Sequence, residues 1–386
     1  MPPATMTEAG HPPKPHRGWR ERWLALRSGL VASPGFQRWA AGFPLTRRTA
    51  QRNTRALFDL CAGFVYAQVL FACIRLDLFK LLQDGPLAPE TIARRVDLPL
   101  ERSLTLLKAA ASLGLLSRLR DGRFALADLG AALIGNPSVG RMIEHHAMLY
   151  ADLADPIALL RGESGATRLA RYWPYADPRS DAARVGPDAV AAYSGLMASS
   201  QALIAGDVLD ALPLAGRTCL LDVGGGEGVF LAHVARRHPS LALRLFDLPP
   251  VAERAGARLT AEGLGDRVTC LGGTFLGEPL PAGADAITLV RVLHDHNDAE
   301  AMAILRAAYT ALPPGGLLAI AEPMAGTAGA EPIGDAYFGF YLLAMGSGRP
   351  RTVEELTAML KQAGFSGIRE WRTRRPLLTR LLTASR

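Results

Sequence analysis

A run of glycines directly after an apolar segment is the first feature of the sequence with a clear chemical meaning. The segment from Cys219 to Val223 predicts a short buried strand, and a helical pattern begins at Val229 and stops before Pro239. The turn between them contains the glycines Gly224, Gly225, Gly226 and Gly228. Glycines at such a turn let the backbone bend tightly and approach a ligand with no side chain in between. This stretch therefore predicts the first unit of a nucleotide-binding α/β sheet.

The spacing of these glycines indicates which nucleotide would bind. A dinucleotide site has the pattern G-x-G-x-x-G, but Val229 stands where its third glycine belongs, and Glu227 in the turn disfavours a phosphate. A second predicted strand ends at Asp247, whose carboxylate could accept hydrogen bonds from both ribose hydroxyls. S-adenosylmethionine combines a ribose with a cationic sulfur and has no phosphate. The alternative is an ordinary strand–helix turn without a ligand.

A second polar cluster follows the predicted fourth strand, residues 285–290, in the order Leu293-His-Asp-His-Asn-Asp298. Ligands bind at the carboxyl ends of strands in such sheets, and a histidine with a pKa near 6.5 suits a general base, so His294 is a candidate for that role. The run could also hold a metal, but adjacent side chains at a strand end point in alternate directions, so we expect no metal. Asn297 or Asp298 could in addition cap the following helix.

Four segments together resemble the S-adenosylmethionine-dependent O-methyltransferases of the plant caffeate and bacterial small-molecule type: Asp222–Gly228, Phe246–Pro249, Leu293–Asp295 and Pro314–Gly316. The segment Leu30–Thr46 is similar to one subgroup, the carotenoid hydroxyl O-methyltransferases of purple phototrophic bacteria. The resemblance implies a class I methyltransferase fold, an α/β Rossmann-like sheet, with an N-terminal helical winged-helix dimerisation domain. It implies that S-adenosylmethionine binds Asp222, Gly224, Gly226, Gly228, Asp247, Leu248 and Phe275.

The same resemblance implies the remaining site residues. His294 would be the catalytic base, flanked by Glu322 and Glu355, although either glutamate could instead be a solvated surface carboxylate. Met197 falls where the family has a methionine that lines the acceptor pocket. Two positions depart from the family: Thr274 replaces an acidic residue that contacts adenine, and Val290 replaces a lysine.

Composition limits the other function classes. The chain has 386 residues and a net charge of +7, and residues 1–55 hold ten Lys and Arg against two Glu. Tryptophans and leucines stand between these arginines, which favours either a membrane surface or packing on a partner subunit. The four cysteines are far apart, so we expect reduced thiols and neither a disulfide framework nor a zinc site. A cytoplasmic enzyme follows, with peripheral membrane contact through this basic segment as one option.

The elements that must position these residues divide into four parts. We expect a basic arm over 1–52 (disordered to about residue 20), a winged-helix-like dimerisation domain over 53–140, a helical connection lining the substrate pocket over 141–210, and the cofactor-binding domain over 211–386. A winged helix can bind DNA, but the helix Leu100–Leu116 is rich in leucine and alanine, which is typical of packing. We therefore expect a homodimer and no nucleic acid. The apolar run Ala56–Ile74 is long enough to span a membrane, or it could lie between two subunits.

The predicted acceptor is a small apolar hydroxylated molecule. The aromatic and methionine content of 140–205 and the run Phe338–Met345 fit a long hydrocarbon acceptor and equally a flat aromatic one. The resemblance to the carotenoid hydroxyl O-methyltransferases implies that the acceptor is a 1-hydroxylated acyclic carotenoid. A phenolic or polyketide acceptor is the alternative within enzymes, and a ligand-sensing winged-helix regulator is the alternative from another class.

Overall fold

Residues 18–172 and 187–386 are described by the computed structural model. The N-terminal part consists of helices and one short hairpin: α1 (Trp19–Ala32), α2 (Pro34–Gly42), α3 (Pro44–Arg75), α4 (Leu78–Leu81), α5 (Pro89–Arg95), α6 (Leu100–Ser112), β1 (Leu116–Arg118), β2 (Phe124–Leu126) and α7 (Asp128–Ile134). The expected disorder of residues 1–17 lies outside the described residues. The arm is helical from Trp19 onward, and the expected boundary at residue 52 falls inside α3.

Helices α5 and α6 and the β1–β2 hairpin form the winged-helix arrangement that the sequence predicts. Leu116 pairs with Leu126 across an antiparallel hairpin, whose turn contains Gly122 with a φ of +85°. Helix α6 turns Leu107 and Ala110 into a core that also contains Phe124. This helix is therefore held by packing, as expected from its leucines and alanines.

A helical connection joins this module to the sheet: α8 (Pro137–Asp152), α9 (Pro156–Leu160), α10 (Arg168–Tyr172) and α11 (Pro187–Ala211). Proline stands at the first position of α8 and α9, where its missing N–H costs no hydrogen bond. Trp173 and Tyr175, which the sequence places in the pocket lining, lie outside the described residues.

The C-terminal half is an alternation of strands and helices: β3 (Cys219–Val223), α12 (Val229–Arg237), β4 (Ala242–Asp247), α13 (Pro249–Ala261), β5 (Val268–Gly272), β6 (Ala286–Val290), α14 (Asp298–Ala311), β7 (Leu317–Glu322), α15 (Gly339–Met345), α16 (Val353–Ala363), β8 (Ser366–Trp371) and β9 (Arg380–Ser385). A π-helix, Pro332–Phe338, leads into α15. The strands form one sheet in the order β5-β4-β3-β6-β7-β9-β8. Only the β7–β9 and β8–β9 pairs are antiparallel, so the predicted mostly parallel sheet is confirmed.

The sheet buries an apolar core on each of its faces. One core contains Leu220, Phe230 and Leu259, with side chains from α11, α12 and α13, and the other contains Leu221, Leu305 and Leu356, with side chains from α14 and α16. The central strand β3 is buried at every position, as expected for a parallel strand covered on both sides. Both cores fix the carboxyl ends of β3, β4, β6 and β7 at one edge, where the polar residues of interest stand.

Candidate active site

The glycine turn after β3 has the backbone shape that only glycine adopts readily. Gly224, Gly226 and Gly228 have φ values of +69°, +57° and +75°. A Cβ on Gly224 would stand 2.8 Å from the side chain of Val292, so this turn also lies directly against the segment that follows β6. A Cβ on Gly226 would meet no atom within 4 Å. The turn is therefore open to a ligand at Gly226.

Asp247 connects the end of β4 to the glycine turn. Its Oδ2 accepts a hydrogen bond of 2.8 Å from the backbone N–H of Gly226, and its Oδ1 accepts one of 2.7 Å from that of Leu248. Burial raises the pKa of this carboxyl to about 6, although the two N–H donors act in the opposite direction. Each oxygen has a further lone pair, so the carboxylate can still accept from ribose hydroxyls.

Asp222 lies deeper, within β3. Its Oδ1 accepts a hydrogen bond of 2.6 Å from the Thr288 hydroxyl, while its Oδ2 is buried without a partner among the described residues. Burial raises the pKa to about 7, and the nearby charge of Asp247 adds to this against the Thr288 hydrogen bond. A buried carboxyl oxygen without a partner beneath the glycine turn fits a positively charged ligand such as the sulfonium of S-adenosylmethionine, whose charge would favour the ionised carboxylate.

Glu227 does not have the role that the sequence suggested. Its Oε1 accepts from the Arg254 guanidinium of α13 at 2.6 Å, and Arg258 donates to its backbone oxygen at 3.0 Å. Because its charge is already paired with Arg254, Glu227 gives no support to the argument that this carboxylate disfavours a phosphate at the turn. The acidic groups left on the ligand side are Asp222 and Asp247.

The loop after β5 carries the two residues expected near adenine. Thr274 is half-buried, and its hydroxyl accepts from the N–H of Leu276 at 3.2 Å. Its own N–H donates to the Glu278 carboxylate at 3.1 Å, so an acidic side chain lies beside this loop although residue 274 is not acidic. Phe275 is half-buried and meets the ring of His296 edge-on, with the ring centroids 5.2 Å apart. Its contact with adenine stays a prediction.

His294 and Glu322 are brought together as the resemblance implied. Glu322, the last residue of β7, is fully buried, and its Oε2 lies 3.3 Å from Nδ1 of His294. The same oxygen accepts from the backbone N–H of His294 at 3.1 Å. On the other side of the ring, Nε2 lies 3.1 Å from Oδ1 of Asp295. The imidazole thus stands between two carboxylates.

These carboxylates change the proton affinity of His294. Burial alone would lower its pKa, but the charge and hydrogen bond of Asp295, together with Glu322, outweigh it and raise the pKa to about 9. The expectation of a base with an ordinary pKa near 6.5 is therefore wrong for the free protein. The two carboxylates therefore favour the protonated ring, while a higher pH or a further positive charge nearby favours the neutral ring that acts as a base.

Glu355 is not placed beside His294 by any contact in the structure. It occupies the third position of α16, where its Oε2 accepts from the N–H of Thr352 at 2.8 Å in a capping box. Its Oε1 accepts from Arg349 at 2.8 Å. The expected flanking role is therefore not supported, because capping and ion pairing account for both oxygens. The signal Thr352-x-x-Glu355 is that of a helix start.

Ring side chains from α8, the π-helix and α15 pack in one group that reaches His294 through Phe338. The centroids of the Phe338 and His294 rings lie 6.0 Å apart. Two hydrogen bonds join the elements: His145 Nε2 to the Tyr341 hydroxyl at 2.8 Å, and His146 Nε2 to the Tyr337 hydroxyl at 2.7 Å. We call His145, His146, Tyr337, Phe338 and Tyr341 the aromatic wall. Burial lowers the pKa of His145 to about 4 and raises that of Tyr337 to about 12, so both pairs stay neutral near pH 7.

Met197 stands at the edge of this wall. It packs against Leu342 and Met345 together with Tyr341. This position agrees with the expected pocket lining, although its contact with an acceptor stays a prediction. Tyr193, from the same motif, belongs to α11, but its side chain lies outside the described residues.

Several residues of the site could not be chosen from the sequence. Arg291 has a φ of +59°, which is unusual for a side chain of this size, and donates to the Ser200 hydroxyl at 2.6 Å. Its charge also faces Tyr337 and Tyr341. A strained cation next to the base is typical of a binding site, and its one sequence signal was its position beside Val290.

Among the described residues no group of His, Cys, Asp and Glu could hold a metal ion.

A parallel sheet with an antiparallel final hairpin, an open glycine turn and paired carboxylates at its carboxyl edge defines a class I methyltransferase. The O-methyltransferase domain family matches residues 150–366, and the O-methyltransferase dimerisation domain family matches residues 58–136. The chain belongs to the O-methyltransferase family. It is an S-adenosylmethionine-dependent O-methyltransferase that forms a homodimer and acts on a small molecule.

Known proteins are similar over most of the chain. A protein of Cereibacter sphaeroides named demethylspheroidene O-methyltransferase is 45% identical over 92% of this chain and 93% of its own. The structure of the mitomycin 7-O-methyltransferase MmcR has a TM-score of 0.72 at 25% identity, with 89% of this chain and all of that chain covered. PigF, solved with SAH, has a TM-score of 0.69 at 26% identity, covering 86% of this chain and 99% of that one.

Proposed function

We propose that this enzyme transfers a methyl group from S-adenosylmethionine to the hydroxyl of a 1-hydroxylated acyclic carotenoid. The observation that carries the proposal is the 45% identity, over nine-tenths of both chains, to a protein named for a demethylspheroidene substrate. The aromatic wall is consistent with it. Both tyrosine hydroxyls of the wall are bonded to histidines, so the wall offers a hydrocarbon few unpaired polar groups.

The apolar residues next to the wall add to this argument. Leu149, Leu159, Leu169 and Ala344 form one buried cluster, and Leu342 and Met345 form another, each in contact with Tyr341. A polyketide or phenol with several oxygens would need donors and acceptors on this surface. A long hydrocarbon with one terminal hydroxyl needs them only beside His294.

We infer that His294 is the general base and that Glu322 and Asp295 hold its ring. S-adenosylmethionine supplies an electrophilic methyl carbon on a positively charged sulfur. In the free protein Nε2 of His294 faces Oδ1 of Asp295, so the acceptor hydroxyl would replace that contact in order to donate to Nε2. As the acceptor oxygen bonds to the methyl carbon and the carbon–sulfur bond breaks, the hydroxyl proton would pass to Nε2. The resulting imidazolium is stabilised by both carboxylates. A tertiary alcohol is a weak acid, so it must lose its proton in concert with methyl transfer.

The bound sulfonium also bears on the pKa of the base. A positive charge near His294 disfavours the imidazolium and moves its pKa down from about 9, which makes the neutral ring available at physiological pH. Arg291 is the cation we assign to the carboxylate of the cofactor, because it follows β6 directly and no carboxylate pairs with it among the described residues. Asp222 and Asp247 are assigned to the sulfonium side and the ribose.

The first helix suggests where this cytoplasmic enzyme meets an apolar acceptor. Trp19, Trp23, Leu26 and Leu30 recur at helical spacing on α1, within an arc of about 60°, and all are at least 45% exposed. Arg22 and Arg27 flank this face, and the Arg27 guanidinium lies 5.7 Å from the Trp23 ring centroid. An apolar face bordered by arginines suits the surface of an anionic bilayer, and we propose that α1 docks there.

Helix α3 has a different assignment. Among the described residues it is the helix long and apolar enough to cross a membrane, and only 6% of its most apolar window is buried. Its exposed side chains include Phe58, Leu60 and Phe64. These residues lie at the start of the dimerisation domain, which begins at residue 58. We therefore assign this face to the second subunit rather than to a membrane span.

The acceptor class is tested by supplying labelled S-adenosylmethionine with a detergent-dispersed 1-hydroxycarotenoid and, in parallel, with a simple phenol. We expect methylation of the carotenoid at a rate at least about tenfold above that of the phenol. Turnover of the phenol alone would remove the carotenoid assignment and leave the O-methyltransferase activity in place.

A further inference from the structure

The segment between α15 and α16 folds over the loop that carries His294. We call residues 291–298 the base loop, and Ser347, Gly348 and Arg351 the clasp. Arg351 is fully buried although it is an arginine, and its side chain reaches across to the base loop. A buried guanidinium is costly unless every donor finds a partner, so its contacts indicate what it is for.

Arg351 binds the base loop on both sides of the histidine. Its Nη1 donates to the Leu293 carbonyl at 2.7 Å, and its Nη2 donates to the His296 carbonyl at 2.7 Å. Its Nε donates to Oδ1 of Asp298 at 3.0 Å, at the first turn of α14. One side chain thus spans the loop from the residue before His294 to the start of the next helix.

The other two clasp residues hold the middle of the loop. The Ser347 hydroxyl donates to the Asp295 carbonyl at 3.0 Å, and the N–H of Gly348 donates to Oδ1 of Asn297 at 3.1 Å. A Cβ on Gly348 would lie 2.1 Å from the His294 carbonyl oxygen, so only glycine permits this approach. The clasp therefore donates hydrogen bonds to five of the six residues from Leu293 to Asp298, and it lies against the carbonyl of the sixth, His294.

The base loop needs such external support. It begins at Arg291 in the left-handed region, which is unfavourable for a residue other than glycine. It continues as a single 3-10 turn, Leu293–Asp295. A turn this short does not fix a side chain by itself. Glu322 holds one nitrogen of the ring and the N–H of His294, but the direction of Nε2 depends on where the backbone lies.

We propose that Arg351 is a positioning residue for the catalytic base. It holds the base loop so that Nδ1 of His294 stays on Glu322 and Nε2 stays on the side of Asp295, where the acceptor hydroxyl would reach it. The inference rests on the proposed role of His294 as the base. Arg351 acts through His294 and does not touch the acceptor. A shift of the ring by about 1 Å is enough to reduce the rate of transfer about 100-fold.

The test replaces Arg351 by Lys, which keeps a positive charge but has all its N–H donors on one nitrogen, so it cannot span the acceptors that three guanidinium nitrogens reach. We expect kcat for the acceptor to fall about 10- to 100-fold while the acceptor KM and the dissociation constant of S-adenosylmethionine change less than about twofold. The inflection of the pH–kcat profile should move to lower pH, since a loosened His294 lies farther from its carboxylates. Arg351→Lys should cause no further loss in a His294→Ala background.

Arg349→Lys is the matched control, because Arg349 contacts the carboxylates of Asp298 and Glu355 but no backbone atom of the base loop. It should keep kcat within about twofold of the wild type. Unchanged kcat and pH profile in Arg351→Lys would overturn the proposal, as would an equal loss with and without His294.

If Arg351→Lys does not fold, Ser347→Ala takes its place as the test. We expect this variant to have a kcat about three- to tenfold below that of the wild type. An unchanged kcat would contradict the proposal. If His294→Ala alone keeps full activity, the base assignment has failed rather than the clasp.

Discussion

The Oε2 atom of Glu322 lies 3.3 Å from Nδ1 of His294 and also accepts the backbone N–H of that residue at 3.1 Å. One buried carboxylate therefore fixes both the ring and the backbone of the base. Glu322 is the last residue of β7, and His294 lies just after the neighbouring strand β6. Their approach is therefore a direct consequence of the strand order.

Glu322→Gln should lower the activity and shift its pH dependence. The carboxylate raises the pKa of His294, so its neutral replacement should move the inflection of the pH–kcat profile to lower pH. The wild-type rate should rise with pH and level off at or below about pH 9, because only the neutral ring accepts the proton. We expect a plateau kcat about 100-fold below that of the wild type. An inflection that stays in place would contradict the contact between the two residues.

Glu355→Gln should leave catalysis unchanged. Glutamine can still accept the N–H of Thr352 in the capping box, and the ion pair with Arg349 is half-exposed. We expect kcat within about twofold of the wild type and the same pH profile, whereas Glu355→Ala should cost about 1 kcal/mol of unfolding free energy. A large loss of kcat in the glutamine variant would restore the flanking role.

Asp247→Asn should weaken cofactor binding. The amide keeps one acceptor where the carboxylate has two, so either the Gly226 or the Leu248 N–H loses its partner. We expect calorimetry to show a dissociation constant for S-adenosylmethionine at least about tenfold higher. Glu227→Gln serves as the control, since Glu227 faces Arg254, and its dissociation constant should change less than about threefold. A larger increase of the dissociation constant in Glu227→Gln than in Asp247→Asn would argue against the assignment of Asp247 to the ribose.

Replacing both Trp19 and Leu26 by Ala should reduce sedimentation with vesicles of phosphatidylglycerol and phosphatidylcholine. Each removed side chain takes apolar area from the α1 face, so we expect at least about tenfold weaker binding. Leu24→Ala, on another side of the same exposed helix, should bind as the wild type does. Wild-type binding by the double variant, or its dissociation into monomers, would contradict the membrane assignment of α1.

Much of this architecture is readable in the sequence because local patterns and tertiary structure agree. The strand Cys219–Val223, the glycine turn after it and the helix from Val229 all lie where periodicity predicts them, since buried parallel strands and turns leave strong signals. The pairing of His294 with Glu322 came from resemblance, because residues 28 positions apart meet only through the strand order. Periodicity alone carries no information on that contact.

Other features depend on side-chain directions that no local pattern reports. Glu227 and Glu355 looked like site residues by position, but each faces an arginine, Arg254 or Arg349. Asp295 follows His294 directly, yet its contact with Nε2 arises from a 3-10 turn where alternating directions were expected. Arg351 stood in a charged run that is usually solvated, and only the fold shows that it is buried.

The most direct measurement compares wild type and His294→Ala for methyl transfer from labelled S-adenosylmethionine to a detergent-dispersed 1-hydroxycarotenoid, with cofactor binding measured on the same samples. We predict that the variant binds the cofactor within about threefold of the wild type and loses at least about 100-fold in kcat. Equal turnover by both proteins would show that His294 is not the base. Absence of carotenoid methylation by a wild type that binds the cofactor would contradict the proposed acceptor.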